Sequence, residues 1–278
     1  MNTGSQINST TESLCRSLLT GEQSVPRQSL FDDDIFLKTC NKIRSENEQR
    51  VVVDIMRLIV PSAENLASYA PELEVLKEKL NKQWIKCIPL LNQRPQPDYS
   101  VGFRESAFTD DQLYRLDPFI GKDSDGCSVM SKVHVFFPFL SCEVKCGVHG
   151  LLVADRQNLH CAGVSVKGVF ELFRRVGQEQ TLYGEVLAFS VSHTNEHVRI
   201  CGFYPLLEGE KVVVYRHIIG DFGIMHLGGE QKWTAYKFTK NLYYKFVPIH
   251  LKRLRDAIDK LPAQYNFDVD TSLSCTQG

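Results

Sequence analysis

A mixed α/β (α+β) fold, with a central sheet flanked by helices, follows from three features of this chain. Apolar residues recur at helical spacing up to about residue 83, then give way to short aromatic or β-branched runs separated by Pro and Gly. One long helical segment, about 151–176, lies between two strand-rich stretches. No internal repeat and no Pro-rich linker interrupts residues 35–262, so a single domain is expected there, with 1–30 a flexible polar arm and 263–278 a polar tail.

Order is expected to begin near Asp32-Asp-Asp-Ile-Phe-Leu37, where acidic residues precede an apolar periodicity and suit a helix N-terminus. Between Ser45 and Val60, apolar positions 51, 52, 55, 58 and 59 form one helical face, and Pro61 ends it. A further helix is predicted over about 71–83. Strands are expected at Trp84-Ile-Lys-Cys-Ile-Pro89, at Asp98-Tyr-Ser-Val-Gly-Phe103 and from Val133 to Cys146, with Gly121-Lys-Asp-Ser-Asp-Gly126 a surface loop. Gly147 and Gly150 flank a turn before the long helix. Residues 185–192, 198–204 and 211–217 then read as strands, joined by short polar connections that suit antiparallel hairpins. Helices at about 231–243 and 249–261 close the domain.

At 278 residues, with 43% hydrophobic and 23% charged residues, the chain has the composition of an ordinary globular protein. Its formal net charge is −1, from 32 basic and 33 acidic residues, so any nucleic-acid contact must be local and not a coating of long stretches. Nine cysteines, an odd number with no secretory start, point to free thiols in a reducing compartment. Cys142 and Cys146, with His149 and His160 nearby, have the look of a zinc half-site; both cysteines fall on the apolar face of the expected strand, and buried thiols are the better reading. The polar N-terminus and the lack of any apolar run near the ~18 residues of a membrane span lead to an expectation of a soluble, intracellular protein, nuclear or cytoplasmic.

The chemistry concentrates in Val135-Phe-Phe-Pro-Phe-Leu-Ser-Cys-Glu-Val-Lys-Cys146. Side chains alternate along a strand, so Glu143 and Lys145 share one face while Cys142, Val144 and Cys146 take the other. A carboxylate beside an ammonium on an apolar strand suits holding a divalent cation next to a water nucleophile. Asp98 is a second carboxylate at the start of its own strand, and Mg²⁺ or Mn²⁺ would need only Asp98, Glu143 and the carbonyl of Val144 from the protein. Lys145 can orient water or stabilise charge at phosphate, Gln157 in the next helix can hydrogen-bond that water, and Glu48 is a candidate third carboxylate. Taken alone, Glu-x-Lys is common, and an ion pair at a sheet edge would also account for it.

A second signal is the segment 237–260, with seven basic and two acidic residues interleaved with tyrosines. Lys240, Lys245, Lys252 and Arg253 are its candidate phosphate contacts, although a solvated helix face explains the pattern equally well.

The runs Pro97-Asp-Tyr-Ser-Val-Gly-Phe103, Pro138-Phe-Leu-Ser-Cys-Glu-Val-Lys145 and Ala154-Asp-Arg-Gln157 resemble a large fungal family of divergent PD-(D/E)XK nuclease-like proteins. The resemblance extends over about 45–262, including Phe189-Ser-Val-Ser-His193 and Pro248-Ile-His-Leu-Lys-Arg253. It implies a restriction-endonuclease-like core in which Asp98, Glu143, Lys145 and Gln157 match the active-site positions. The implied function is Mg²⁺-dependent phosphodiester hydrolysis of nucleic acid, DNA first, with a homodimer as a compatible assembly and no membrane partner. The alternative is a catalytically inactive module that keeps the fold to bind nucleic acid or a protein.

Overall fold

The computed structural model describes residues 7–84, 92–120, 135–147, 149–209 and 211–262. Six strands form one mixed sheet whose spatial order follows the chain: β1 (Leu76–Leu80), β2 (Tyr99–Phe103), β3 (Phe136–Val144), β4 (Ala188–His193), β5 (His197–Glu208) and β6 (Lys211–Gly223). All neighbours are antiparallel except β3 and β4, which run parallel. That one parallel pair needs a crossover, supplied by the long helix Gly150–Arg175. Among the described residues, eight other α-helices accompany the sheet: α1 (Ser9–Thr20), α2 (Phe36–Ile43), α3 (Glu48–Asp54), α4 (Met56–Ile59), α5 (Ala63–Ala67), α6 (Asp110–Ile120), α8 (Thr234–Asn241) and α9 (Val247–Ile258), the crossover being α7. The mixed α+β class read from the sequence is the class observed.

The two sheet faces differ in chemistry. On one, Tyr99, Leu140, Cys142 and Phe189 are buried toward the C-terminal helices, where Phe189 meets Phe238 and Phe246 with ring centroids 6.0 and 4.9 Å apart. The other face, under α7, carries Ser141 and Ser192. Asn158 of α7 accepts from the Ser141 hydroxyl at 2.6 Å and donates to Ser192 Oγ at 3.0 Å and to the Val191 carbonyl at 3.2 Å. Asp155, one turn earlier and buried, pairs with Arg199 of β5. Small serines let the helix approach closely, and the buried amide is fully engaged, so α7 has one rotational setting over β3 and β4.

Several expectations need correction. Residues 9–20, placed in a flexible arm, form α1: Asn8 caps it by accepting from the Thr11 amide at 2.8 Å, and Cys15 and Leu18 are buried in the main core. Its polar composition conceals an apolar stripe at helical spacing. The helix expected over 71–83 is a short 3₁₀ turn, Pro71–Leu73, followed by edge strand β1. Leucines at 73, 76 and 80 imitate a helix period, whereas pairing with β2 decides the outcome. The segment 45–60 is two helices broken at Ile55. The two helices expected over 231–243 and 249–261 are one continuous run over 234–258, in which a π-helical turn, Leu242–Phe246, joins α8 to α9. Trp84 is in no regular element, and the rest of the strand expected at 84–89, the loop 121–126 and the tail 263–278 lie outside the described residues. Among the described residues no helix is long and apolar enough to cross a membrane.

Candidate active site

β2 and β3 are antiparallel neighbours, with Tyr99 opposite Cys142. The residue before β2 therefore meets the residues at the end of β3. Asp98 Oδ2 accepts from the Val144 amide at 2.8 Å, which fixes its carboxylate to the strand that carries Glu143. The Lys145 ammonium donates to the Val144 carbonyl at 2.7 Å and to Glu48 Oε1 at 3.2 Å, and lies 3.7 Å from Asp98 Oδ2 and 3.8 Å from Glu143 Oε2. Four oxygens from three parts of the chain thus surround one cation. Glu48 reaches them because Asn47 caps α3 there, accepting from the Arg50 amide at 3.0 Å.

Gly150 is required at the far side of this cluster. A Cβ on it would stand 2.9 Å from the Lys145 Cβ, so only glycine lets the first turn of α7 press against the lysine. The neighbouring strand contributes from below: the Lys145 amide donates to the His193 carbonyl at 3.0 Å. His193 itself is fully buried, and that burial lowers its imidazole to about 4, leaving it neutral.

The electrostatics are those of a site crowded with negative charge. Glu143 is 2% exposed, and burial first, then the Asp98 carboxylate beside it, push its carboxyl up to about 8, with Lys145 opposing. For Lys145, burial favours the neutral amine, but Asp98, Glu143 and Glu48 together outweigh it and hold the ammonium above its ordinary range. Each carboxylate needs a cation nearby, and the lysine alone does not balance three of them.

All of this forms the floor of an open cleft of about 1460 Å³. Asp98, Glu143, Lys145 and Glu48 line it together, and Gln157 lines it from α7. Gln157 is exposed and makes no hydrogen bond to Asp98, Glu143 or Lys145 among the described residues. The residue that locks α7 is its neighbour Asn158, which the sequence reading missed; the serines at 141 and 192 on one strand face were the available signal. Cys142 is buried as expected, whereas Cys146 lies beyond the end of β3 and is exposed.

The basic C-terminal residues do not join the cleft. Lys240 is buried and donates to the Ser24 carbonyl and hydroxyl at 3.0 and 2.8 Å, and Lys245 donates to the Ser17 carbonyl at 3.0 Å. Arg253 pairs with Glu185 at 2.8 Å, and Lys252 with Asp256 at 2.5 Å. All four side chains are thus engaged within the chain.

Among the described residues, no three His, Cys, Asp or Glu side chains are disposed as a ready metal cluster. The donor set nonetheless fits a hard divalent cation that retains most of its waters: two adjoining carboxylates, Asp98 and Glu143, and the Val144 carbonyl. Burial first, and the Asp98 carboxylate second, raise the Glu143 carboxyl, and a cation there would oppose both. Residues 35–258 match the family described as Domain of unknown function (DUF7924). No curated protein and no solved structure matches the chain.

Proposed function

We propose that this chain, which belongs to the DUF7924 family, is a metal-dependent nuclease that hydrolyses phosphodiester bonds. The observation that carries the reading is the meeting of Asp98, Glu143 and Lys145, 3.7 to 3.8 Å from ammonium to carboxylate, at the floor of an open cleft. Asp98, Glu143 and the Val144 carbonyl would hold Mg²⁺ or Mn²⁺, which when bound supplies charge neutralisation and an acidified water.

The chain's own residues do the rest. Burial and the Asp98 carboxylate favour the protonated acid at Glu143, and a cation held there would favour the carboxylate that ligates it. Asp98 is held in one orientation by the Val144 amide, beside Glu143. Lys145 remains an ammonium and counters the negative charge that grows on the phosphate oxygens as the new P–O bond forms. As the old ester bond breaks, the leaving oxygen takes a proton from solvent at the open side of the cleft.

One observation favours the second reading, an inactive nuclease-like module. The Lys145 ammonium already occupies the space among the four oxygens, an internal cation in an oxygen cage. Thermal unfolding with and without millimolar Mn²⁺ separates the two. The nuclease reading expects a rise in Tm for the wild type, since a ligand at 100 times its Kd stabilises by about 2.7 kcal/mol. It expects no rise for Asp98→Asn or Glu143→Gln. An unshifted wild type would favour the inactive module.

A further inference from the structure

Above the carboxylates the cleft carries side chains that hydrolysis does not use. Asn81, Gln83, Arg94 and Gln96 line it, as do Arg156 and Gln157 of α7, and Gln96 donates to Asn81 Oδ1 at 2.9 Å, which leaves the Asn81 amino group and the Gln96 carbonyl for a ligand. Arg44, Arg57, Arg115, Arg199 and Arg253 all have carboxylate partners, whereas Arg94 and Arg156 are exposed and have none among the described residues. Two guanidinium groups, Arg94 ahead of β2 and Arg156 on α7, therefore line a cleft that also holds three carboxylates, and neither has a carboxylate partner among the described residues. An anion with more than one charged group, spanning the cleft, is what such an arrangement takes.

The amides narrow the class. A carboxamide offers a donor and an acceptor side by side, the pattern that matches the edge of a nucleobase. Amides recessed in a cleft reach such edges when the bases are unpaired and splayed. The charge distribution argues the same way. A duplex binder neutralises many phosphates along its length. This chain has a net charge of −1, and Lys240, Lys245 and Arg253 are bonded internally. Two free arginines suit a short stretch of one strand.

Resting on the hydrolytic reading of the cleft floor, we propose that the cleft binds single-stranded nucleic acid, with Arg94 and Arg156 gripping phosphates and the amides contacting unpaired bases. The test is fluorescence anisotropy with labelled single-stranded DNA, single-stranded RNA and the corresponding duplexes, in EDTA so that cleavage does not enter. Single strands should bind at least about tenfold more tightly than duplexes. The double variant Arg94→Ala/Arg156→Ala should weaken that binding by about 10- to 100-fold and reduce the log K against log salt slope by about two. Both side chains are exposed, so the variant should fold. The DNA and RNA arms identify which backbone is preferred. Tighter duplex binding, or an unaltered double variant, would overturn this inference even if the wild type cleaves. Retained single-strand binding without cleavage would uphold it while the hydrolytic reading fails.

Discussion

Lys145→Ala should abolish cleavage, by about 10²- to 10⁴-fold if the ammonium acts in the transition state. It should also lower stability in EDTA, and Mn²⁺ should restore that stability. Read as an exposed edge pair, the lysine would contribute about 0–1 kcal/mol. The structure changes that expectation, because the Lys145 side chain is 17% exposed and, among the described residues, is the only lysine contacting Glu48, Asp98 and Glu143. Its removal leaves three carboxylates without their internal counter-charge. We expect a loss of about 2 kcal/mol, between the limits for exposed and buried pairs. The checks are Tm in EDTA, Tm in Mn²⁺ and the cleavage rate of the same variant. Cleavage at the wild-type rate would remove Lys145 from the chemistry.

The second large effect concerns Glu143 and pH. Its folded carboxyl stands near 8, against an ordinary value of 4.5. Between those values the folded protein keeps a proton that the unfolded chain has released. The contribution of Glu143 to stability in EDTA is therefore greatest below about pH 4.5, falls as pH rises, and is lost above about pH 8. At ~1.4 kcal/mol per unit, the fall amounts to a few kcal/mol. Glu143→Gln preserves the shape and can still hydrogen-bond to Asp98, yet cannot ionise. Its denaturation midpoint should lack this slope, and above pH 8 it should equal or exceed that of the wild type. Parallel pH profiles for the two proteins would show that Glu143 is not held protonated by its surroundings.

The parts of the fold that were legible in the sequence are those whose periodicity is long or whose strands are buried. β2, β3, α7 and the β4–β5–β6 meander fall in this group, because an apolar strand run or a 26-residue helix leaves little ambiguity. β1 was not legible. Its residues Lys77, Glu78 and Lys79 suit a charged edge strand, and Glu78 is engaged by Tyr99 and Ser62 at 2.9 and 2.7 Å, contacts distant in sequence. α6 was missed although its start carries a readable signal: Thr109 and Gln112 bond each other's backbone amides reciprocally, at 3.2 Å each.

The site was legible where strand alternation governs it. Glu143 and Lys145 on one face of β3 required no tertiary information, and Asp98 required only that β2 and β3 be neighbours. Asn158, Arg94 and Arg156 owe their roles to what the fold brings near them, or fails to bring near them. The basic C-terminal segment misled for the same reason: its partners Ser17, Ser24 and Glu185 lie far away in sequence.

Incubation of end-labelled single- and double-stranded DNA and RNA with the wild type and with Glu143→Gln, each with and without Mn²⁺, tests the central claim most directly. The account predicts shortened products from at least one substrate, single strands foremost, only with the wild type and only with Mn²⁺. An intact set of substrates after incubation with wild type and Mn²⁺, or equal cleavage by Glu143→Gln, would contradict it.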